Sequence, residues 1–101
     1  MIIRIFIAEV PLAQQAAFEV KFKAISVPLV QNYDGLISLE IGKGTKWNPL
    51  QYVMVTQWES EAHLVDFAGE NWNEAHIPDE MAQFFTAFSM YQFHEMNLEE
   101  G

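Results

Sequence analysis

The sequence predicts an α+β domain of the ferredoxin-like βαββαβ plan, an antiparallel sheet with helices on one face. Three observations carry that prediction. Four segments alternate their side chains with the period of two that a strand imposes. Between the first and second of these, and again after the third, residues suit a helix. The chain has 101 residues, half of them hydrophobic, which fits one domain with a full core.

Ile2 to Glu9 reads as the first strand, with Ile3, Ile5 and Ile7 on one face and Ile2, Arg4, Phe6 and Ala8 on the other. Pro11 suits the first turn of a helix, where a missing N–H costs nothing. Phe18, Phe22, Ile25 and Leu29 then form one helical stripe, and Pro28 is expected to end or kink the helix near Val27. Asn32-Tyr33-Asp34-Gly35 supplies a turn. Leu36 to Gly42 is the second strand, with Ile37, Leu39 and Ile41 opposed to Leu36, Ser38 and Glu40. A polar connection, Gly42 to Pro49, leads to the third strand, Leu50 to Trp58. Ser60 is a helix N-cap candidate and Gly69 a good residue just past the C-terminus of that helix. A short helix opens at Pro78, and Thr86 to Met96 forms the last strand. Residues 1–96 are read as a single domain and 97–101 as a tail.

A sheet with one solvated face alternates apolar and polar residues. Here the face expected to be bare carries Phe6, Tyr52, Met54, Trp58, Tyr91 and Phe93. The economical cover is the same face of a second copy related by a two-fold axis, so a homodimer through the open sheet is expected.

Charge narrows the partners. The formal charge is −9, and all five cations, Arg4, Lys21, Lys23, Lys43 and Lys46, precede residue 47. Phosphate backbones require clustered Lys and Arg, so nucleic acid is excluded, and an anionic membrane is disfavoured for the same reason. The absence of cysteine removes disulfides, thiolate catalysis and thiolate-bound metals. The opening MIIRIFIAEV has neither the length nor the cleavage site of a signal peptide, which makes the cytoplasm the expected location.

Three stretches, QNYDGLISLEI, YVMVTQWESEAHLVDFA and ENWNEAHIP, together with the element order, resemble the antibiotic biosynthesis monooxygenase superfamily of dimeric α/β-barrel proteins. The Trp58-Glu59-Ser60 junction is typical of that group. The resemblance implies a homodimer with one cavity per subunit between sheet and helices. Members include quinone-forming monooxygenases and haem-degrading enzymes. In the haem-degrading pattern, His76 falls at the position of the iron-ligating histidine. Phe67 stands at the position of a tryptophan, and Val10 at that of an asparagine, so two of the three residues differ.

The connection Gly69 to Pro78 concentrates the candidate site. His76 is the candidate catalytic residue, as base, hydrogen-bond donor or iron ligand; its plainer role is a capping or surface histidine. Trp72, Trp58, Tyr52 and Asn71 are the candidate substrate-binding residues. Trp72 is equally suited to plugging the core or a subunit interface, and Asn71 to a turn. Arg4, a lone cation in an apolar strand, is expected to pair with Glu40 or Glu95, or with an anionic ligand group. His63 and His94 lack metal-ligand spacing relative to His76, so no metal is expected. The function that the family resemblance implies is cofactor-independent monooxygenation of a small aromatic or phenolic substrate. A non-catalytic module for a small hydrophobic ligand and a haem binder using His76 are the alternatives.

Overall fold

The computed structural model describes residues 1–100. Strands β1 (Ile2–Glu9), β2 (Leu36–Lys43), β3 (Gln51–Trp58) and β4 (Ala87–His94) form one four-stranded sheet in the order β2-β3-β1-β4. Every neighbouring pair is antiparallel. Helices α1 (Gln15–Lys21), α2 (Val27–Val30), α3 (Glu61–Ala68) and α4 (Asp79–Ala82) cover one side of it. This is the ferredoxin-like α+β fold that the element order predicts. Leu98–Glu100 forms a single 3₁₀ turn after the last strand, and Gly101 lies outside the described residues.

At Pro28, where an end or a kink of the helix is expected, the helical path continues. The chain does not stop near Val27. It passes from α1 through a π-helical turn at Phe22–Ser26 into α2, so the helical path reaches Val30. The Val27 N–H reaches back five residues to the Phe22 carbonyl. A proline in a regular helix clashes with the carbonyl four residues earlier. The wider turn just before Pro28 relieves that crowding, and the bend it creates is of the kind π-bulges impose.

The helix-covered face of the sheet carries Ile2, Arg4, Ala8, Tyr52, Thr56 and Trp58, all buried. Phe6 and Met54 are paired across strands on this same face. Phe6, Tyr52, Met54 and Trp58 therefore point to the helices, not to the open side as the sequence reading had them. The open face is built from Ile3, Ile5 and Ile7 in the middle strand. Val53 and Val55 flank them on one side and Tyr91 and Phe93 on the other. Tyr91 and Phe93 remain about half exposed, at 49% and 52%. The face is apolar, as expected, but through a largely different set of residues.

Strand β2 contains a second correction. Its pairing with β3 slips between Leu36 and Ser38, so Ile37 is an extra, bulged residue. Beyond the bulge the phase inverts. Leu39 and Ile41 join Leu36 on the helix side, opposite Thr56 and Met54, while Ser38 and Glu40 face the open side.

Two clusters form the core. One gathers Val10, Phe18, Phe22, Tyr52, Met81 and Phe84 beneath α1 and α4. Phe18 is its centre, stacked on Phe22 at 4.9 Å between ring centroids and tilted against Tyr52 at 4.6 Å. The other gathers Ile2, Trp58, Leu64 and Ala68 beneath α3. Burying each such large side chain contributes roughly 1.5–3 kcal/mol. The two clusters occupy opposite ends of β1, and Arg4 and Phe6 fall between them.

α3 is capped as predicted. The Ser60 hydroxyl accepts from the His63 N–H at 3.2 Å, and Gly69 ends the helix at φ 88°. Gly35 takes φ +87°, and a Cβ there would overlap the His63 ring. Its carbonyl accepts from the Glu59 N–H at 2.8 Å, joining the β2 turn to the α3 entry. Gly35→Ala should therefore lower stability by about 1–3 kcal/mol in chemical denaturation. Adding His63→Ala should return part of that loss, since only the steric share is relieved; full additivity of the two losses would contradict the overlap.

Candidate functional site

The gap between the two core clusters is a cavity of about 120 Å³. Its floor is the sheet, through Phe6, Met54 and Met90. The π-helical turn and α2 contribute Phe22, Ser26, Leu29 and Val30 to one wall, so the widened turn lies against the cavity. Phe67 and Ala68 at the end of α3 line a second side, and Met81 and Phe85 a third. The roof is the 69–78 connection, through Ala75, His76, Ile77 and Pro78.

This roof is held from below. Arg4 faces the helices because it alternates with Ile3 and Ile5 along β1, between Thr56 and Gln92 on the neighbouring strands. Its Nη2 donates to the Glu74 carbonyl at 3.1 Å and more weakly to the Trp72 carbonyl at 3.4 Å. Trp72 packs onto the α3 cluster and Ile77 onto the α1 cluster, so the connection is pinned on both sides of the gap. The Gln92 amide donates to the Asn73 carbonyl at 3.3 Å from the edge strand.

Arg4 is 8% exposed, and its Nε, fully buried, has no hydrogen-bond partner. Neither Glu40 nor Glu95 pairs with it. Glu40 lies on the opposite face of the sheet, and Glu95 follows the end of β4. The ion pairs among the described residues are Lys21–Glu80, Lys43–Glu19 and His63 with Asp34 and Glu59, none involving Arg4. Burial alone pulls the guanidinium below its ordinary pKa, yet arginine stays protonated in proteins.

Of the five residues singled out in the sequence, the structure places His76 at the cavity, on its rim and largely open to solvent. The other four lie elsewhere. Trp58 is wholly buried in the α3 cluster, its Nε1 donating to the Thr56 hydroxyl at 3.0 Å. Trp72 covers that cluster's edge and reaches the site only through its backbone carbonyl. Asn71 is exposed and serves a turn, its carbonyl accepting from the Glu74 N–H at 2.9 Å. Tyr52 turns away toward α1, where its hydroxyl donates to the Glu19 carboxylate at 2.5 Å. The walls are instead Phe6, Met54, Phe67, Phe85 and Met90, which periodicity alone could assign only to a face. Val10 sits in the α1 cluster and Phe67 at the cavity.

Arg4, Ser26 and His76 are the polar side chains around an otherwise apolar space. Such a site excludes water from a bound ring while offering one cation, one hydroxyl and one titratable imidazole. Among the described residues no three His, Asp or Glu side chains converge as metal ligands. An imidazole on the rim suits a haem iron. The space does not suit the porphyrin: an engineered cavity of about 150 Å³ accommodates a single benzene ring.

Beside the site, Lys43 and Tyr52 converge on Glu19, with Lys43 at 2.8 Å. Glu19 is held below its ordinary pKa, first by the Lys43 hydrogen bond and then by Tyr52. The Tyr52 phenol is pushed well above its ordinary range, first by burial and then by the Glu19 carboxylate. Glu19, with its depressed value, supports the fold above the ordinary carboxylate range and loses that support as pH falls. Tyr52, with its raised value, supports it below about pH 10 and loses that support only at stronger alkali. A spectrophotometric titration should show a phenol step above the ordinary range that Tyr52→Phe abolishes; an unchanged titration in the variant would contradict the pairing.

A model of the family described as antibiotic biosynthesis monooxygenase matches residues 1–76. Among curated protein sequences, none matches the chain. Among solved structures, an arginine-to-serine variant of MhuD, crystallised with two manganese protoporphyrin IX per active site, is 25% identical, with a TM-score of 0.72 and 96% of each chain covered. The haem-degrader MhuD from Mycobacterium tuberculosis, with two haems in its active site, is 21% identical at a TM-score of 0.71, covering 96% of this chain and 97% of that one. An antibiotic biosynthesis monooxygenase-type protein from Nitrosomonas europaea is 13% identical at a TM-score of 0.73, covering 96% and 100%.

Proposed function

Because the chain belongs to the antibiotic biosynthesis monooxygenase family, we propose that it oxidises a small aromatic or phenolic substrate with dioxygen, without a resident cofactor, as a homodimer. The observation that supports this reading is the partly open apolar cavity with His76 on its rim. The space accommodates about one aromatic ring. His76 takes the phenol proton, and the resulting phenolate is electron-rich enough to react with dioxygen itself. The overall change balances without an outside reductant: a phenol plus dioxygen gives a quinone plus water. One oxygen atom enters the ring, the other leaves as water, and the substrate supplies all four electrons. Phe6, Met54 and Phe67 keep bulk water from the ring while this happens.

The test is oxygen uptake with a panel of single-ring phenols. Uptake should occur with some members, and His76→Ala should lower the rate by roughly 10²-fold or more. Ligand-induced thermal stabilisation without oxygen uptake would overturn the oxygenase reading in favour of a small-ligand binding module. Haem held by His76 is a second reading, favoured by the likeness to the porphyrin-bound MhuD variant. It requires the 69–78 roof to swing away, because the space of about 120 Å³ beneath it is too small for a porphyrin. A Soret band appearing on haem titration and lost in His76→Ala would select it.

The dimer reading rests on the open face, where Ile5 pairs with Val55 and Tyr91 across the sheet. Contiguous apolar surface of this kind marks an interface. Val55→Glu should convert a dimer to a monomer in sedimentation while the fold persists; an unaltered species would remove this face from the assembly. No helix among the described residues is long and apolar enough to cross a membrane, and a cytoplasmic location completes the reading.

A further inference from the structure

We propose that Arg4 is the anchor for an anionic oxygen on the cavity's ligand, a carboxylate or a phenolate, which its guanidinium binds. The proposal deepens the reading of this cavity as a substrate site and rests on it.

The charge on Arg4 is unbalanced. A buried charge is costly unless it is paired and hydrogen-bonded. Arg4 is nine-tenths buried, has no carboxylate within ion-pair distance among the described residues, and leaves Nε–H unbonded. Over nine-tenths of buried polar groups in folded proteins find partners, so an orphaned guanidinium N–H asks for one. Loop carbonyls take Nη2, but they are neutral and leave the positive charge uncompensated. Arg4 lines the cavity, so an anion seated there lies beside its guanidinium.

The surroundings select the acceptor. Phe6, Met54, Phe67 and Phe85 offer no hydrogen-bond acceptor to the cation, only apolar surface to the rest of a ligand. A ring with one anionic oxygen matches both halves of the site. Guanidinium groups suit planar oxygen anions, and hydrogen bonds between two charged partners are about twice as strong as neutral ones. The rest of the chain does not gather such anions, since its formal charge is −9. Retention of an anion is thus local to Arg4.

The experiment compares matched ligands by calorimetric titration: benzoate against benzamide, and 4-nitrophenolate against 4-nitroanisole. The native protein should bind at least one anion about tenfold or more tightly than its neutral counterpart. The first pair reports the carboxylate and the second the phenolate. Arg4→Met should abolish the preference while the neutral compound still binds; Arg4→Lys should keep part of it, having the charge without the planar guanidinium fork. A merely structural arginine would instead lose anion and neutral ligand together. Arg4→Met also removes the donor to the Trp72 and Glu74 carbonyls, so the melting temperature should fall modestly while the fold persists. The proposal is overturned by equal affinity within both pairs, by a preference that survives in Arg4→Met, or by no binding of any probe. Arg4-dependent anion binding without oxygen uptake would sink the oxygenase reading and leave this one standing. Oxygen uptake with no Arg4-dependent preference would do the reverse.

Discussion

One guanidinium, carried on the central region of the sheet, reaches up through the gap between two packed clusters. It holds the far connection by the carbonyls of Trp72 and Glu74. This contact turns a gap into a cavity. The clusters on either side would each stand without it, since each has its own buried aromatics. The roof shares its support between Arg4, the packing of Trp72 and Ile77, and the Gln92 amide on the Asn73 carbonyl. Its position fixes where His76 lies, and therefore what chemistry the rim can perform.

The element order was legible in the sequence because strands and helices leave different periods, and because Ser60 and Gly69 punctuate α3. The identity of the faces was not. When both sides of a strand are apolar, alternation groups Phe6 with Arg4 but carries no sign to say which group meets the helices. The bulge at Ile37 was equally hidden, since an extra apolar residue in an apolar run leaves the local pattern intact. Pro28 reads as a stop or a kink by local rules; the π-helical turn that accommodates it is visible only in three dimensions.

The site shows the same division. His76 was legible because a histidine between Gly69 and Pro78, in an otherwise irregular polar stretch, has no periodic role. Arg4 stood out as a cation among isoleucines, but its partners are backbone carbonyls about 70 residues away, which no side-chain pattern records. The cavity walls come from several separate elements, so Phe67 and Phe85 carry no local mark. Trp58 and Tyr52 misled because large aromatics with polar tips suit a pocket and a core equally well. The Thr56 hydroxyl and the Glu19 carboxylate satisfy those tips inside the fold.

Family membership and geometry constrain each other. The family fixes the sheet-and-helix frame and raises oxygen chemistry as the reading, while the space under the roof limits the occupant to about one ring. The most direct measurement is a crystal structure of the protein grown with 4-hydroxybenzoate. The account predicts a single ring between Phe6 and Phe67, with one anionic oxygen against the Arg4 guanidinium. A collapsed, side-chain-filled gap, or the ligand seated away from Arg4, would contradict it.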